Sequence, residues 1–115
     1  MDNKQSAGYP DVLLNQLPEA HVAFEGARAW IMQSENTQLV FFTFEQGIEL
    51  PSHNHTYAQW GVVIDGEMDL LLNGEPHRCR TGDEYLIPPG VMHGARFYKR
   101  TRVMDFFSEK RYKPK

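Results

Sequence analysis

The distribution of apolar and polar positions changes character at residue 27. From there onwards, short apolar and aromatic runs alternate with glycine, proline, asparagine and serine. The strongest run, Leu39 to Phe44, is apolar on both faces of an extended chain, which predicts a strand buried on both sides. Such runs recur every eight to twelve residues or so, and no apolar repeat of helical period interrupts them. The pattern predicts an all-β barrel or jelly roll.

The runs also define the order of the predicted elements. The predicted strands are 27–33, 38–45, 53–64, 68–72, 76–80, 85–87, 94–98 and 102–107. Asn73-Gly74 stands between two of them, and this dipeptide favours a two-residue hairpin because both positions need positive φ. The residues from 27 to 115 are therefore expected to form a single barrel domain.

The first 26 residues are predicted to form an arm and an edge strand. Residues 1–8 are polar and small, which predicts a flexible lead-in. The apolar cluster in Asp11 to Leu17 is bounded by two prolines and is expected to form at most one helical turn or an extended arm. Val22 to Phe24 is predicted to be a brief strand.

Composition narrows the classes of function. At 115 residues the chain can bury one core and not two, and 41% hydrophobic residues argue against disorder. The formal net charge of -3 gives no basic footprint for nucleic acid. No apolar run approaches the ~20 residues that span a bilayer, and no secretory signal is evident. The single cysteine, Cys79, fits a reducing compartment. We expect a cytoplasmic protein without nucleic-acid or membrane partners.

Candidate chemistry is concentrated between Gly47 and Gly66. His53, His55 and Gln59 share one face if this stretch is extended, and His93 follows a later glycine- and proline-framed strand. Imidazole suits zinc, copper, nickel and iron, and an amide oxygen tilts a site towards harder ions such as manganese. These four side chains are the predicted ligands of one divalent metal ion. The alternative is a histidine pair that only hydrogen-bonds.

The spacing of these residues resembles the two motifs of the cupin family, G-x5-H-x-H-x3,4-E-x6-G and G-x5-P-x-G-x2-H-x3-N. The matching positions are Gly47, His53, His55, Gln59 and Gly66, then Gly82, Pro88, Gly90, His93 and Phe97. Gln59 replaces the usual glutamate and Phe97 the usual asparagine. The resemblance implies a cupin barrel, a double-stranded β-helix, with a metal site.

The last predicted strand supplies candidates for proton transfer and substrate binding. Asp105 and Phe107 share a face by alternation, and Arg111 follows shortly after. If that face is internal, Asp105 is a candidate general acid or base, Phe107 an apolar wall and Arg111 a clamp for a substrate carboxylate. The alternative is a surface Asp–Arg pair of little energetic value. Tyr57, near the predicted ligands, is a weaker candidate for substrate binding.

The tail D-F-F-S-E-K-R is similar to the D-x-F-S-x-x-R tail of small single-domain cupins that linearise unsaturated uronates in pectin and alginate breakdown. Those cupins also carry glutamine at the glutamate position. The resemblance implies that Asp105, Phe107 and Arg111 handle a small anionic sugar and that the reaction is a metal-assisted ring opening or isomerisation. A cupin dioxygenase with a redox-active metal and a non-catalytic sugar- or metabolite-binding module remain as alternatives.

A homodimer is the expected assembly. Trp60, Val62 and Ile64 point away from the predicted ligand face, so an apolar surface on the back of this strand needs a cover. A second copy of the chain would supply one, and a second sheet of the same chain would serve as well. Arg28 reaches the cavity only if its strand faces inward, which the sequence does not decide.

Overall fold

The computed structural model describes residues 8–115, so the predicted flexible lead-in lies outside the described residues except for Gly8. One short helix and ten strands make up this part of the chain. Their bounds are α1 Asp11–Leu14, β1 Glu19–Ala20, β2 Ala27–Gln33, β3 Gln38–Phe44, β4 Glu49–His53, β5 Gln59–Asp65, β6 Glu67–Leu72, β7 Glu75–Arg80, β8 Glu84–Ile87, β9 His93–Phe97 and β10 Thr101–Phe107. Within it, no helix is long and apolar enough to cross a membrane.

Two antiparallel sheets face each other across an apolar interior. The larger sheet has the strand order β1-β2-β3-β10-β5-β8, and the smaller has β4-β9-β6-β7. Sequential neighbours such as β6 and β7 pair directly, whereas β10 returns from the end of the chain to lie between β3 and β5. This arrangement confirms the predicted jelly-roll barrel.

The core explains why β3 is apolar on both faces. Val40 and Phe42 belong to the main cluster between the sheets, and Phe41, on the opposite face, is only 4% exposed. Phe44 stacks on Phe97 with 4.2 Å between ring centres, so the phenylalanine at the motif's usual asparagine position packs in the core. Stacked aromatic pairs at this separation add to the stabilisation from burial alone.

The hairpin between β6 and β7 turns at Asn73-Gly74, as predicted. Both residues have positive φ, 50° for Asn73 and 83° for Gly74. This is the backbone that a two-residue turn of matching twist requires. The hairpin brings Met68 opposite Cys79, and the cysteine is buried as a small apolar side chain.

Of the predictions before residue 27, one is wrong and one is confirmed. The predicted strand at Val22 to Phe24 is wrong, because the short β1 lies earlier, at Glu19–Ala20, where it pairs with β2. The apolar cluster after Pro10 does form one helical turn, α1. Its Asp11 accepts a hydrogen bond from Arg102, which ties the turn to β10. The division of the chain into residues 1–26 and 27–115 stays a prediction.

Candidate metal centre and active site

Strand pairing brings the three histidines of the motifs together. His53 ends β4, His93 begins β9, and the two are direct partners in the antiparallel ladder. His55 lies in the loop after β4, and its ring centre is 4.8 Å from that of His93. One ring nitrogen from each histidine lies within 4.8 Å of the other two. A spacing of this size suits three imidazoles around a single ion, so these residues could hold a metal.

The predicted reason for this convergence was wrong. The sequence suggested one extended strand carrying His53, His55 and Gln59, but β4 ends at His53 and β5 begins at Gln59. The ladder between β4 and β9 shifts register between Leu50 and His53. In the loop between the strands, the carbonyl oxygen of His55 accepts a hydrogen bond from the Gly90 amide, 2.8 Å away. Loop geometry and cross-strand pairing, rather than pleat alternation, aim the side chains inward.

Backbone carbonyls select the same tautomer at all three rings. Nδ1 of His53 lies 3.1 Å from the Pro51 oxygen, Nδ1 of His55 2.7 Å from the Tyr57 oxygen, and Nδ1 of His93 2.9 Å from the Val91 oxygen. A carbonyl can only accept, so each neutral ring carries its proton on Nδ1. The lone pair of each ring is then on Nε2, which is the arrangement that outer-shell hydrogen bonds give to metal-binding histidines. At His53 this lone pair faces the Arg111 guanidinium, so a bound ion would have to displace that contact.

Two features of these nitrogens fit a cation. Among residues 8–115, Nε2 of His93 is a buried side-chain nitrogen with no hydrogen-bond partner. Nε2 of His55 lies 3.1 Å from Oε1 of Gln59, and in the neutral Nδ1–H tautomer both atoms are acceptors. Buried polar atoms rarely remain unpaired, and facing lone pairs repel each other. A divalent ion would satisfy both observations.

Burial also favours the neutral, metal-binding form of two of these rings, His53 and His93. It lowers the pKa of His93 to about 4, although the hydrogen bond to the Val91 carbonyl opposes this shift. Burial likewise lowers the pKa of His53, with a smaller contribution from the nearby Arg111 charge. A neutral imidazole already offers a lone pair, so a metal ion can bind without displacing a proton.

Gln59 joins the histidines to Asp105. Its Nε2 donates a hydrogen bond of 3.0 Å to Oδ2 of Asp105, which leaves Oε1 turned towards His55. The other carboxylate oxygen, Oδ1, accepts a 2.6 Å hydrogen bond from the hydroxyl of Tyr85. The predicted ligand and the predicted acid or base are therefore in direct contact. Asp105 is 4% exposed, so the alternative of a surface Asp–Arg pair does not describe it.

Asp105 is an unusual carboxylate because its close partners are neutral. Burial raises its pKa to about 7, and the hydrogen bonds from Tyr85 and Gln59 and the charge of Arg111 only partly oppose the shift. The pKa of Tyr85 is raised well above its ordinary value, chiefly by burial and then by the adjacent Asp105 charge. Desolvation disfavours the charged form of both groups.

Tyr85 was not among the predicted site residues. It lies on β8 opposite Gly61 of β5, and a Cβ atom at Gly61 would approach the Tyr85 ring to 2.1 Å and Oδ1 of Asp105 to 2.2 Å. Glycine thus makes room for the tyrosine to reach the carboxylate. A glycine inside a strand indicates a close approach of this kind, so Gly61 was the available signal in the sequence.

Arg111 lies beside the histidines, although it follows the last strand. Its Nη2 is 3.1 Å from Nε2 of His53. Its guanidinium carbon lies 5.7 Å from the centre of the Phe107 ring and 5.3 Å from that of Tyr112, within range of cation–π attraction. The charge is therefore directed towards the predicted ligands.

A cavity of about 660 Å³, including its open mouth, is lined by most of these groups, whereas His55 lies behind its wall. Its walls are mostly apolar, and its polar lining consists of His53, Gln59, Tyr85, His93, Asp105, Arg111 and Tyr112. Phe107 forms part of the wall and is 1% exposed. A largely apolar cleft with a few convergent polar groups is typical of a small-molecule site.

The weaker candidates lie outside this cavity or at its margin. The Tyr57 ring stacks flat on His55, 4.2 Å between centres, and does not line the cavity. Arg28 is exposed and pairs with Glu19, so its strand does not direct it inward.

Comparison with known proteins identifies the class. The cupin domain family matches residues 40–107, which is more than half of the chain. The chain belongs to the cupin family. It is similar in fold to small cupins of known structure.

Individual relatives differ in how much of their length is shared. KdgF from Halomonas sp. is 28% identical with a TM-score of 0.74, covering 80% of this chain and 86% of KdgF. An RmlC-like cupin from Shewanella frigidimarina NCIMB 400 is 26% identical with a TM-score of 0.76, covering 84% and 87%. Quercetin 2,3-dioxygenase from Bacillus subtilis (strain 168) is 32% identical over 71 residues, which are 60% of this chain and 21% of the dioxygenase. The chain spans between 21% and 48% of the curated relatives it matches.

Proposed function

We propose that this cupin binds one divalent metal ion and opens the ring of a small unsaturated sugar acid. The observation that carries the proposal is the direct hydrogen bond between Gln59, a proposed ligand, and Asp105, a buried carboxylate in the same cavity. A metal-binding group and a proton-transfer group thus line the same cavity. The similarity of the tail to uronate-linearising cupins, together with 28% identity to KdgF, supports this substrate class.

The ion would be held by His53, His55, His93 and the amide oxygen of Gln59. These four ligands are neutral, so a bound divalent ion would keep its full charge and supply strong polarisation of a hydroxyl or carbonyl oxygen. Zinc, nickel, iron, manganese and copper all accept this ligand set, and the donor atoms do not select among them.

Arg111 is the proposed partner of the substrate carboxylate. Its guanidinium lies at the cavity beside His53, and a planar fork of donors suits a carboxylate in a bidentate pair. Phe107 would pack against the apolar edge of the sugar, whereas Tyr57 would act indirectly, by holding the His55 ring on which it stacks. An anionic sugar is therefore the expected small-molecule partner.

Asp105 is the proposed proton carrier. Ring opening of an unsaturated uronate removes the proton of the C1 hydroxyl, breaks the C1–O5 bond to give an aldehyde, and leaves an enolate that takes a proton at C4. The reaction is an isomerisation without water, and one carboxyl group can accept the first proton and return it. Each oxygen of Asp105 receives one hydrogen bond, and a carboxylate oxygen still has a second lone pair to offer.

The experiment follows the loss of ultraviolet absorbance of an unsaturated uronate monomer. In Asp105→Asn, we expect turnover to fall by ~10²–10⁴-fold, the usual contribution of a general acid or base, with metal content unchanged. Asp69→Asn is the matched control, because Asp69 is also buried but lies outside the cavity lining, and it should keep its turnover. Full activity in Asp105→Asn would remove this residue from the mechanism.

A dioxygenase reaction is the second candidate, and the 32% identity to quercetin 2,3-dioxygenase over 71 residues favours it. Such a reaction needs a redox-active metal and oxygen. Turnover of the uronate by zinc-loaded protein without oxygen would exclude it. A pure binding module would instead bind the uronate saturably and release it unchanged after long incubation.

We also propose that the chain forms a homodimer through the outer face of the larger sheet. Trp60 is 47% exposed, Phe106 37% and Leu86 47%, and the first two rings lie 6.0 Å apart. An aromatic patch of this kind typically marks a protein interface, and a second copy would present the same patch. Trp60→Lys should convert a dimer to a monomer in sedimentation analysis, and an unchanged mass would contradict the proposal. A cytoplasmic location stays a prediction.

A further inference from the structure

The C-terminal segment reaches the cavity through a contact outside the family motifs. After β10 ends at Phe107, the chain leaves the sheet and then returns with Arg111 and Tyr112 at the cavity wall. Farther along, Pro114 forms a bridge with Ala20, and the Lys113 carbonyl accepts a hydrogen bond from the His21 amide. The residues between the end of β10 and this bridge belong to no strand, so another contact must hold them in place.

The side chain of Gln38 supplies this contact. Gln38 begins β3 and is 1% exposed. Its Oε1 accepts hydrogen bonds from the amides of Arg111, at 3.1 Å, and Tyr112, at 2.9 Å. Its Nε2 donates to the carbonyl oxygen of Tyr112, at 2.8 Å, and to Oε1 of Gln33, at 2.9 Å. All four hydrogen-bonding positions of the carboxamide are used, which fixes its orientation.

This contact resembles one rung of a β-ladder in which a side chain replaces the partner strand. The carboxamide pairs with both the N–H and the C=O of Tyr112, as a neighbouring backbone would. Within the described residues, Gln38 supplies the hydrogen bonds that the structure gives to the backbone of Arg111 and Tyr112. The Tyr112 ring adds an edge contact to Phe42, 5.4 Å between centres.

We propose that Gln38 is a positioning residue that clamps the C-terminal segment so that the Arg111 guanidinium faces His53. The clamp acts through the backbone of Arg111, and its value for substrate binding rests on the function proposed above. Because Arg111 lies on an irregular segment, loss of the clamp releases the charge from the cavity while the barrel strands keep their own ladders.

The first test measures hydrogen–deuterium exchange of individual amides in Gln38→Met, which keeps the length of the side chain and removes its four hydrogen bonds. We expect the amides of Arg111 and Tyr112 to exchange at least ~tenfold faster, because buried hydrogen bonds to both are lost. Gln33→Met is the matched control, since it removes one bond to Gln38 and none to the tail. Unchanged exchange at both amides in Gln38→Met would overturn the clamp.

The second test locates the Arg111 charge without relying on turnover. In the metal-free chain, the NMR chemical shifts of the His53 ring depend on the Arg111 guanidinium, because its Nη2 lies 3.1 Å from Nε2 of His53. Gln38→Met should shift them to the positions seen in Arg111→Met, whereas Gln33→Met should leave them unchanged. Resonances that stay at wild-type positions in Gln38→Met would show that Arg111 does not depend on the clamp.

The third test connects the clamp to catalysis. For the unsaturated uronate, Gln38→Met should lower kcat/KM by ~tenfold or more, mainly by raising KM. The reason is that Arg111, the proposed partner of the substrate carboxylate, is no longer held at the cavity. The double variant with Arg111→Met should be no worse than Arg111→Met alone. Wild-type kinetics in Gln38→Met with a loosened tail would overturn the positioning role.

These readouts separate two failures. If the wild-type chain does not convert the uronate, the function proposed above fails, and the exchange and resonance measurements still decide whether Gln38 holds Arg111. If the wild-type chain converts it and those two measurements do not change in Gln38→Met, the clamp alone is wrong.

Discussion

Two buried aspartates on facing sheets have opposite electrostatic environments. Asp69 on β6 is 7% exposed and accepts hydrogen bonds from Nε of Arg78, at 2.8 Å, and from the hydroxyl of Tyr98, at 2.5 Å. Asp105 on β10 is 4% exposed, and within residues 8–115 it accepts hydrogen bonds from two neutral groups, Gln59 and Tyr85. Both have a tyrosine partner, so the arginine is the main difference.

The pKa values follow that difference. Hydrogen bonds from Arg78 and then Tyr98 lower the pKa of Asp69 and outweigh its burial. At Asp105, burial dominates and raises the pKa to about 7. A buried carboxylate with a cation partner is a structural element, whereas one without a close cation stays poised to exchange a proton. Burial alone therefore does not determine the direction in which the pKa of an aspartate shifts in this barrel.

The largest expected effect comes from filling the space that Asp105 needs. Gly61→Ala would place a methyl group against the Tyr85 ring and Oδ1 of Asp105. We expect the free energy of unfolding to fall by about 1–3 kcal/mol, the usual result of overpacking a core. Urea unfolding measures it. An unchanged midpoint would mean that Tyr85 and Asp105 are not packed against β5 as described.

A smaller effect is expected at the structural aspartate. Asp69→Asn should lower the free energy of unfolding by about 1–2 kcal/mol, because charge-assisted hydrogen bonds to Arg78 and Tyr98 are replaced by weaker ones. Uronate turnover should remain at the wild-type level. A loss of turnover with intact stability would reverse the roles assigned to the two carboxylates.

The pH dependence of stability should differ in sign between the two sites in the metal-free chain. The lowered pKa of Asp69 stabilises the fold above the unfolded value near 4, and this stabilisation is lost as the pH falls. The raised pKa of Asp105 means that stability declines as the pH rises from ~4 to about 7.

Urea unfolding between pH 3 and 8, for the wild type and each asparagine variant, provides the comparison. Asp69→Asn should reduce the loss of stability at acid pH. Asp105→Asn should reduce the decline in stability as the pH rises towards neutral. Parallel curves for the two variants would contradict the proposed difference between the sites.

The smallest effect concerns Cys79, which lies opposite Met68 beside the structural aspartate. Burial raises the pKa of its thiol, and the charges of Asp83 and Asp69 raise it further. Asp69→Asn should therefore speed reaction with a thiol reagent at pH 8, by less than ~threefold, because only a minor electrostatic contribution is removed. Asp105→Asn should leave the rate unchanged. Equal acceleration in both variants would point to general loosening of the fold.

Much of the fold was predictable because short apolar runs and turn residues are local features. The strand 27–33, the hairpin at Asn73-Gly74 and the doubly buried β3 all follow from such patterns. The extent of β4 did not, because its end at His53 depends on pairing with β9, forty residues later. The prediction of a strand at Val22 to Phe24 is wrong because three apolar residues alone do not specify a partner strand.

The candidate site was predictable to a similar degree. The convergence of the three histidines followed from motif spacing, although the ligands do not share a strand. The contacts of Tyr85 with Asp105 and of Gln38 with the tail join residues 20 and 74 positions apart. Cross-strand neighbours of this kind depend on register, which no local pattern contains.

The central claim is that three imidazoles and the Gln59 amide bind one divalent ion, and metal content tests it most directly. Purified chain is loaded separately with zinc, nickel, manganese, iron(II) and copper, dialysed, and analysed for metal per chain. We expect one equivalent of at least one metal in the wild type and none of that metal in His93→Ala, which removes a buried Nε2 that has no partner among residues 8–115. A wild-type chain that retains no metal, or a His93→Ala variant that retains a full equivalent, would contradict it.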